Sequence, residues 1–285
     1  MNLHGKRLVI TGASRGIGRA IALRAAEDGA RIAIVAKTEK PHPKLEGTIH
    51  SVSEEVERVG GQALPIATDL RDADAIDAMV EAAAAAFGGI DILVNNASAI
   101  FRAPTAETPI SRFDLMHAVN VRATFACTRA CLPHLRRGHN PHILTLSPPL
   151  NLNPRWFGSH LAYTLSKYGM SLCVLGHAEE LRGDGIAVNA LWPKTPIATA
   201  AVANLSPHRL PQSRHARIVA DAAHAILVRD SRHCTGNFYL DEDVLRQEGM
   251  SDFSQYAWDP DAAPGLDIFL DDEPEPTQAT EGSII

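Results

Sequence analysis

Residues 7–18, Arg-Leu-Val-Ile-Thr-Gly-Ala-Ser-Arg-Gly-Ile-Gly, decide the fold that we predict for this chain. The run begins with apolar residues typical of a strand, and residues 19–28 after it carry apolar side chains at helical spacing. Gly12, Gly16 and Gly18 allow a tight turn and a close approach of a pyrophosphate, and the free amides that start the helix attract phosphate. The stretch therefore predicts a strand–turn–helix unit that binds a dinucleotide, the alternative being an ordinary βα turn.

The rest of the chain alternates short apolar runs with longer amphipathic segments. We predict strands near residues 7–11, 31–36, 63–68, 90–95, 142–147, 186–192 and 237–241, and helices near 16–28, 48–59, 73–87, 111–134, 158–182 and 215–229. Because several strands are apolar at consecutive positions, we expect a doubly wound parallel sheet of about seven strands covered on both faces, the three-layer α/β Rossmann fold. Ligands of such sheets bind beyond the carboxyl ends of the strands.

Length and composition fit one enzyme domain followed by an acidic extension. The chain has 285 residues, of which 45% are hydrophobic, so it can bury a large core without dividing. We assign the Rossmann dinucleotide-binding and catalytic domain to residues 1–250 and the acidic C-terminal extension to residues 251–285. The extension contains no Lys or Arg and is predicted to be partly disordered from Asp271 onward, while Phe269 and Leu270 are candidates for docking on the domain or a neighbour.

Several function classes are excluded by composition. A net charge of -6 without a basic stripe argues against a nucleic-acid partner. No run approaches the roughly 18 apolar residues of a membrane span, and the amino terminus enters a strand at once, so we expect a cytoplasmic protein. The cysteines at 127, 131, 173 and 234 lack a Cys-x-x-Cys spacing and are predicted to be reduced. The histidines at 134, 139 and 142 are interpreted as a solvated loop, so no metal is expected.

Tyr163 and Lys167, in the run Ala162-Tyr-Thr-Leu-Ser-Lys167, are separated by four residues and share one helix face. A nearby cation favours the phenolate and lowers a tyrosine pKa from its usual value of about 10. The pair is therefore suited to proton transfer. The alternative is a half-buried tyrosine beside a solvated lysine.

Four motifs occur together in one order: Thr11-Gly12-Ala-Ser-Arg-Gly16-Ile-Gly18, Asn95-Asn96-Ala97, Asn120 and Tyr163-x-x-x-Lys167. In this order and at these separations they resemble the short-chain dehydrogenase/reductase family, from about Lys6 to Asp243. Within the family, residues 42–45, 147–157 and 190–195 look like the hydroxysteroid dehydrogenase-like protein 2 branch. Some members of that branch append a sterol-carrier domain, which this sequence does not contain.

The resemblance implies a catalytic mechanism. Tyr163 would exchange a proton with the substrate oxygen while hydride moves between the nicotinamide and the adjacent carbon. Lys167 would hold the nicotinamide ribose and lower the Tyr163 pKa, and Asn120 would support a water relay behind that lysine. Pro148 stands where the family usually has its active serine, so we assign the fourth catalytic role to Ser147, with Asn151 and Ser159 as alternatives.

The resemblance also implies a cofactor site. Its members would be Thr11, Gly12, Ser14, Arg15, Gly16, Ile17, Gly18, Lys37, Asp69, Leu70, Asn96, Ala97, Tyr163, Lys167, Pro193, Ile197 and Thr199. Ala36 stands where enzymes that prefer NAD place an acid, and Lys37 and Arg15 supply two cations nearby. Because cations suit a 2′-phosphate, we expect NADP, with NAD the alternative if both cations are merely exposed.

Residues near the sixth strand bear on the substrate. Trp156, Phe157 and Trp192 favour a lipophilic carbonyl or alcohol, unless these aromatics belong to the core. Residues 200–214 lack a strong period and are predicted to form a mobile lid. Lys194 is a candidate for contact with an acidic substrate group or phosphate, or else a solvent-exposed lysine.

The expected function is an NADP-dependent alcohol/carbonyl oxidoreductase acting on a small molecule. The resemblance implies a homodimer or homotetramer joined through the helices near 111–134 and 158–182. Two alternatives remain: a reductase of an activated carbon–carbon double bond on the same fold, and a non-catalytic nucleotide-binding redox sensor. Physiological substrate, direction and stereochemistry are set by loops rather than by the fold.

Overall fold

A seven-stranded parallel sheet forms the centre of the molecule, as predicted. The computed structural model describes residues 2–43 and 45–271; Met1, Lys44 and residues 272–285, with most of the stretch predicted to be disordered, lie outside it. The strands are β1 (Arg7–Thr11), β2 (Arg31–Ala36), β3 (Gln62–Ala67), β4 (Ile92–Asn95), β5 (His142–Thr145), β6 (Ala187–Trp192) and β7 (Phe238–Leu240). Their order across the sheet is β3-β2-β1-β4-β5-β6-β7, so the order reverses between β1 and β4.

Helices cover both faces of the sheet. They are α1 (Gly16–Glu27), α2 (Ile49–Arg58), α3 (Ala73–Phe87), α4 (Ile110–Met116), α5 (Ala123–Leu135), α6 (Arg155–Gly158), α7 (Leu161–Glu180), α8 (Ala200–Leu205), α9 (Arg217–Leu227) and α10 (Asp241–Gln247). Buried strand residues alternate between two apolar clusters: Ile10 and Ile34 pack with α1 and α9, whereas Val9 and Val35 pack with α3 and α5. This arrangement is the three-layer Rossmann architecture.

Two predicted helices differ from the observed ones. The segment predicted at 111–134 is interrupted between α4 and α5 by a π-helical stretch, His117–Arg122, whose centre is the buried Asn120. The helix predicted from residue 158 begins only at Leu161, because Pro154 starts the separate short helix α6 and the Thr164 hydroxyl donates back to the Trp156 carbonyl. Helices α8 and α10 were not predicted. The first turn of α10 is entirely acidic, which suits a helix amino terminus.

The chain after α10 returns to the carboxyl edge of the sheet. Phe253 and Tyr256 join the core, and the amide of Asp267 donates to the Lys194 carbonyl after β6. Phe269 is fully buried among aromatic rings, and Leu270 is buried with it. The structure therefore docks both residues on the domain itself.

Two further sequence interpretations meet a structural outcome. All four cysteines are free thiols, as predicted. His142, placed by sequence in a solvated loop, is instead buried on β5, and burial lowers its pKa to about 4. His134, placed in the same loop by sequence, lies on α5 and contacts the Glu81 carboxylate at 3.1 Å. Residues 2–43 and 45–271 contain no group of three or more His, Cys, Asp or Glu side chains that could hold a metal ion.

Across the same described residues, no helix combines the length and the apolar character needed to cross a membrane.

Candidate active site

The glycine turn after β1 packs against the turn after β4. Gly12 and Gly16 have φ angles of +67° and +57°, a region that side chains rarely adopt. A Cβ atom on Gly18 would lie 2.4 Å from the side-chain amide nitrogen of Asn96 and 2.7 Å from the Gly12 carbonyl oxygen. Only glycine fits at this third position, so α1 lies directly against the ends of the two central strands.

The amino terminus of α1 is left open toward the sheet edge. Helix α1 begins at Gly16 after the extended residue Arg15, no side chain caps it, and its first turn contains no acid. The first amides of a helix lack partners within the helix and favour an anion. This end of α1 therefore fits the pyrophosphate of a dinucleotide.

Thr11 and Asn96 lock the ends of β1 and β4 together. The Thr11 hydroxyl accepts hydrogen bonds from the amides of Asn96 at 3.0 Å and Ala97 at 3.1 Å. The Asn96 side-chain amide donates to the carbonyls of Thr11 at 2.8 Å and Gly12 at 3.1 Å. These bonds fix the floor on which a cofactor would lie, and Ser98 of the same turn lines a cavity above it.

Of the two cations predicted to bind a 2′-phosphate, one is exposed and the other already has hydrogen-bond partners in the protein. Lys37 is exposed at the end of β2, as the NADP interpretation requires. Arg15, however, donates to the carbonyls of Glu46 at 2.9 Å and Gly47 at 3.0 Å, so its guanidinium already holds the segment after β2. Asp69 pairs with Arg71, which lowers the Asp69 pKa to about 2, and Leu70 is buried in the core.

Tyr163 and Lys167 are both buried on α7 and line one cavity. Burial lowers the Lys167 pKa to about 7, and its ammonium group donates to the Leu146 carbonyl at 2.6 Å. Burial also raises the Tyr163 pKa; the charge of Asp267 raises it further and that of Arg102 opposes it. Lys167 is not among the groups that shift the Tyr163 pKa in this structure, so the expected lowering by Lys167 stays a prediction.

Asn120 ties the turn after β4 to α7. Its side chain accepts from the Ala99 amide at 2.7 Å and donates to the Ala99 carbonyl at 3.0 Å and the Ser166 hydroxyl at 2.9 Å. Both side-chain amide hydrogens of Asn120 are thus used by protein groups, and its oxygen accepts one bond. The π-helical turn that contains Asn120 is a feature often found at functional sites.

Ser147 lies after β5 with a buried hydroxyl that has no hydrogen-bond partner among the described residues. Ser147 does not line the cavity that Tyr163 faces. Asn151 and Ser159, the two alternatives to Ser147, have hydrogen-bond partners outside the cavity. The Asn151 amide donates to the Phe269 carbonyl at 3.1 Å, and the Ser159 hydroxyl contacts His160 Nδ1 at 2.6 Å. None of Ser147, Asn151 and Ser159 lines the cavity beside Tyr163.

The cavity beside Tyr163 has a volume of about 170 Å³ and is walled by segments that are distant in sequence. It includes Asn96, Ile197 and Thr199 from the predicted cofactor set, and Trp192 from the predicted aromatic set. Trp156 and Phe157 pack behind it with Phe269 and Tyr168.

Sequence reasoning missed four polar members of the cavity. Arg102 comes from the turn after β4, Ser206 and Arg209 from the region of α8, and Asp267 from the C-terminal segment. None belongs to a motif, and only the folded chain brings them together. Burial raises the Asp267 pKa to about 6.

The turn after β6 brings Pro193 to the cavity but withdraws Lys194. The Lys194 ammonium lies 3.4 Å from carboxylate oxygens of both Glu242 and Asp243. Lys194 is therefore neither a free solvent-exposed lysine nor available to a substrate anion, because two acids of α10 neutralise it.

Known proteins that are similar to this chain decide its family. The profile of the short chain dehydrogenase family matches residues 6–210. The chain belongs to this family. It is 55% identical to the hydroxysteroid dehydrogenase-like protein 2 of Danio rerio and of Homo sapiens over 274 residues, 96% of this chain. These residues span 66% of the zebrafish protein and 65% of the human one, so the chain covers just under two thirds of these relatives.

Solved structures of other short-chain dehydrogenases share the fold along nearly the whole chain. A putative dehydrogenase from Xanthomonas campestris is 54% identical with a TM-score of 0.93, covering 95% of this chain and 100% of that one. A short chain dehydrogenase from Mycobacterium thermoresistibile is 50% identical with a TM-score of 0.90, covering 98% and 99%. A metagenomic short-chain oxidoreductase in complex with NADP is 29% identical with a TM-score of 0.70, covering 84% and 97%.

Proposed function

We propose that this short-chain dehydrogenase transfers hydride between NADP(H) and the carbonyl or alcohol group of a lipophilic small molecule. The observation that carries the proposal is the position of Tyr163 and Lys167. Both line one cavity together with Asn96 and Thr199, which stand beside the glycine turn. A proton donor and a cofactor platform thus meet at the switch point of the sheet.

Tyr163 is suited to act as the acid in carbonyl reduction. The phenol is protonated at neutral pH and therefore carries the proton that the oxygen of the reacting group needs. Burial and the charge of Asp267 raise its pKa and so weaken it as an acid, whereas a positive charge beside the hydroxyl, such as that of Arg102, acts in the opposite direction. The nicotinamide, when bound, supplies or accepts the hydride. In the reverse direction Tyr163 would accept the proton of the alcohol as the phenolate.

Lys167 and Asn120 would support this transfer. Lys167 is positioned on the same wall of the cavity as Tyr163 and would hold the ribose hydroxyls of the cofactor. Its pKa near 7 lets the amine bind or release a proton at physiological pH. Asn120 acts as a positioning residue, since its side chain joins the turn after β4 to the helix that carries Tyr163 and Lys167.

The cofactor proposal depends on charge at the end of β2. Lys37 is exposed and positive, and Ala36 offers no carboxylate to a ribose 2′-hydroxyl. The open amino terminus of α1 would hold the pyrophosphate, while Pro193, Ile197 and Thr199 would contact the nicotinamide end. Arg15 would add a second cation after its bonds to Glu46 and Gly47 rearrange.

Apolar cavity walls support a lipophilic substrate. Ile100, Val202, Leu205, Trp192 and Ile268 surround the space in front of Tyr163. Burying hydrocarbon against such walls stabilises a complex by about 25 cal/mol per Å² of apolar surface removed from water. A substrate with an extended hydrocarbon part would therefore bind more tightly than a small polar carbonyl compound.

We also propose a cytoplasmic homodimer or homotetramer. One face of α7 carries exposed apolar side chains, those of Leu161, Leu165, Leu172 and Leu175. Phe125 of the neighbouring helix α5 is also exposed, and its ring lies beside that of His177 on α7. A contiguous apolar face on two neighbouring helices is typical of a subunit interface. A cytoplasmic location agrees with the free cysteines, since the cytosol keeps thiols reduced.

One observation favours a second candidate, reduction of an activated carbon–carbon double bond. Ser147 does not line the cavity and its hydroxyl has no partner among the described residues, which leaves the second donor that usually orients a carbonyl oxygen unassigned. Product analysis separates the two reactions, because one yields an alcohol and the other a saturated carbonyl compound.

Replacement of Tyr163 tests the proposed chemistry. A screen of aliphatic, terpenoid and steroid carbonyl compounds, run with NADPH and NADH, identifies an accepted substrate by loss of reduced cofactor. We expect NADPH to support faster turnover. Tyr163→Phe should lower kcat by a factor of about 10² to 10⁴, with a much smaller effect on cofactor affinity, because the lost hydroxyl is the proton donor but only one of many members of the cofactor site.

Tyr168→Phe is the matched control on the same helix. The Tyr168 hydroxyl donates to the Asn151 carbonyl and does not line the cavity, so kcat should stay close to that of the unmodified protein. Unchanged turnover in Tyr163→Phe would contradict the proposed role of the phenol. Faster turnover with NADH would contradict the role of Lys37.

A further inference from the structure

An arginine that no motif identifies faces the proposed catalytic tyrosine. Arg102 lies in the turn after β4 and lines the same cavity as Tyr163. Its positive charge opposes the increase in the Tyr163 pKa and lowers that of the neighbouring His160, so the guanidinium lies within electrostatic reach of both rings. Arg102 therefore shares its cavity with the proposed proton donor.

The partners of Arg102 leave its charge uncompensated by a direct ion pair. Its Nη2 donates to the Ser206 hydroxyl at 2.7 Å, a neutral partner, and it forms no salt bridge with any acid of residues 2–43 and 45–271. Arg209, the other arginine of the cavity, is held by the Leu266 carbonyl and lies 3.6 Å from the Asp267 carboxylate. Arg102 thus has the greater free capacity to bind an anion.

The charges that line the cavity do not balance. Two arginines, Arg102 and Arg209, and the amine of Lys167 line the cavity with a single acid, Asp267. Arg209 already lies 3.6 Å from the Asp267 carboxylate, which leaves Arg102 without a direct acidic partner among the described residues. An excess of positive charge beside apolar walls is costly in a cavity and is relieved when an anion binds.

The geometry points to a substrate that carries an anionic group, bound by Arg102, in addition to its reacting carbonyl and its hydrocarbon part. This inference rests on the proposed function and names the substrate class for the same site. Guanidinium groups bind carboxylates through two parallel hydrogen bonds, so a carboxylate is the group that suits Arg102. The Asp267 carboxylate competes with the anionic group of the substrate for Arg102 and Arg209.

Matched pairs of substrates test this inference. Straight-chain oxo acids of octanoic and decanoic length are compared with their methyl esters, using NADPH and the full chain. We expect the acids to be turned over with the higher kcat/KM. Arg102→Gln should raise KM for the acids by roughly 10-fold to 100-fold, the range of a lost charge-assisted hydrogen bond, with little change for the esters. Arg102→Lys should restore part of the difference.

Two further variants sharpen the test. Asp267→Asn removes the competing carboxylate and should lower KM for the acids but not for the esters. Arg112→Gln is the control, because Arg112 is an exposed arginine on α4 that stacks over Phe101 outside the cavity, and it should leave both KM values unchanged. Equal effects of Arg102→Gln on acids and esters would overturn the inference.

A binding measurement separates failure of this inference from failure of the proposed reaction. Isothermal titration of the full chain with decanoate, and with decanol as the uncharged control, needs no turnover. We expect Arg102→Gln to weaken decanoate binding at least 10-fold and to leave decanol binding unchanged. If decanoate binding depends on Arg102 but no carbonyl compound is turned over, the proposed reaction falls and the anion site stands. If esters and acids are turned over alike, the anion site falls and the reaction stands.

Discussion

The side chain of Ser147 takes no part in the hydrogen bonds that hold the segment after β5. Its hydroxyl is buried without a partner in the described part of the chain, whereas the neighbouring Leu146 carbonyl accepts from Lys167 and the Pro148 carbonyl accepts from Ser171. The segment after β5 is therefore held by its backbone, and the serine hydroxyl contributes no visible bond. A buried hydroxyl without a partner costs free energy relative to the same site without the hydroxyl.

Ser147→Ala is the prediction that follows at this scale. We expect the free energy of unfolding to stay the same or rise by up to about 1 kcal/mol, because an unsatisfied buried group is removed. We expect kcat to change by less than about threefold, since the hydroxyl does not line the cavity. Urea unfolding and steady-state kinetics measure the two quantities. A loss of kcat of two orders of magnitude would instead restore Ser147 to the role of the active serine.

At the scale of elements, the approach of α1 to the ends of β1 and β4 depends on a missing side chain. Gly18 has ordinary backbone angles, yet a Cβ atom there would meet Asn96 and the Gly12 carbonyl at distances that real Cβ atoms do not show. One of the contacted atoms belongs to backbone, which cannot move aside cheaply. The position of the helix, and with it the open amino terminus, is therefore set by this glycine.

Gly18→Ala should displace α1 from the glycine turn. We expect a loss of about 1–3 kcal/mol in the free energy of unfolding, the usual cost of overpacking, and weaker binding of NADPH. Thermal unfolding and quenching of intrinsic fluorescence by NADPH provide the measurements. Gly183→Ala is the control, because Gly183 is exposed and a Cβ atom there would meet nothing within 4 Å. Equal behaviour of the two variants would show that α1 has room to adjust.

The features predicted correctly from the sequence were those formed by residues that are close to one another in the chain. Each strand and the glycine turn follow from apolar runs and local glycines, so the strands of the sheet could be derived from periodicity, whereas the turn at Asn95-Asn96-Ala97 was assigned by family resemblance. The π-helical turn around Asn120 was missed because side-chain hydrogen bonds to Ala99 and Ser166, not helical periodicity, accompany it. Arg102 and Asp267 were missed because only tertiary packing brings them to Tyr163.

At the scale of the whole molecule, exposed apolar surface is concentrated on one pair of helices. Leu172 is 58% exposed and Phe125 54% exposed, and both belong to the face of α7 and α5 described above. Such a face is unfavourable in water unless another copy of the chain covers it. Charge at its centre would oppose that association without touching the cavity.

Leu172→Arg should therefore reduce the oligomer to smaller species. We expect sedimentation velocity to show a dimer or tetramer for the unmodified chain and a shift toward monomer for the variant, since an interface core excludes unpaired charge. Val59→Arg is the control, because Val59 is an exposed apolar residue at the end of α2, away from this face. A monomeric unmodified chain, or an unchanged oligomer in Leu172→Arg, would contradict the proposed assembly.

The placement of Asp267 and Phe269 against Tyr163 has a consequence for synthesis on the ribosome. The Tyr163 phenol emerges from the exit tunnel long before the segment that covers it. In a nascent chain whose sheet has already formed, the Tyr163 ring is therefore still exposed to solvent. Water around the ring would keep its acidity near that of a free tyrosine. The reactivity of Tyr163 is therefore set late, when the closing segment has been translated and docks.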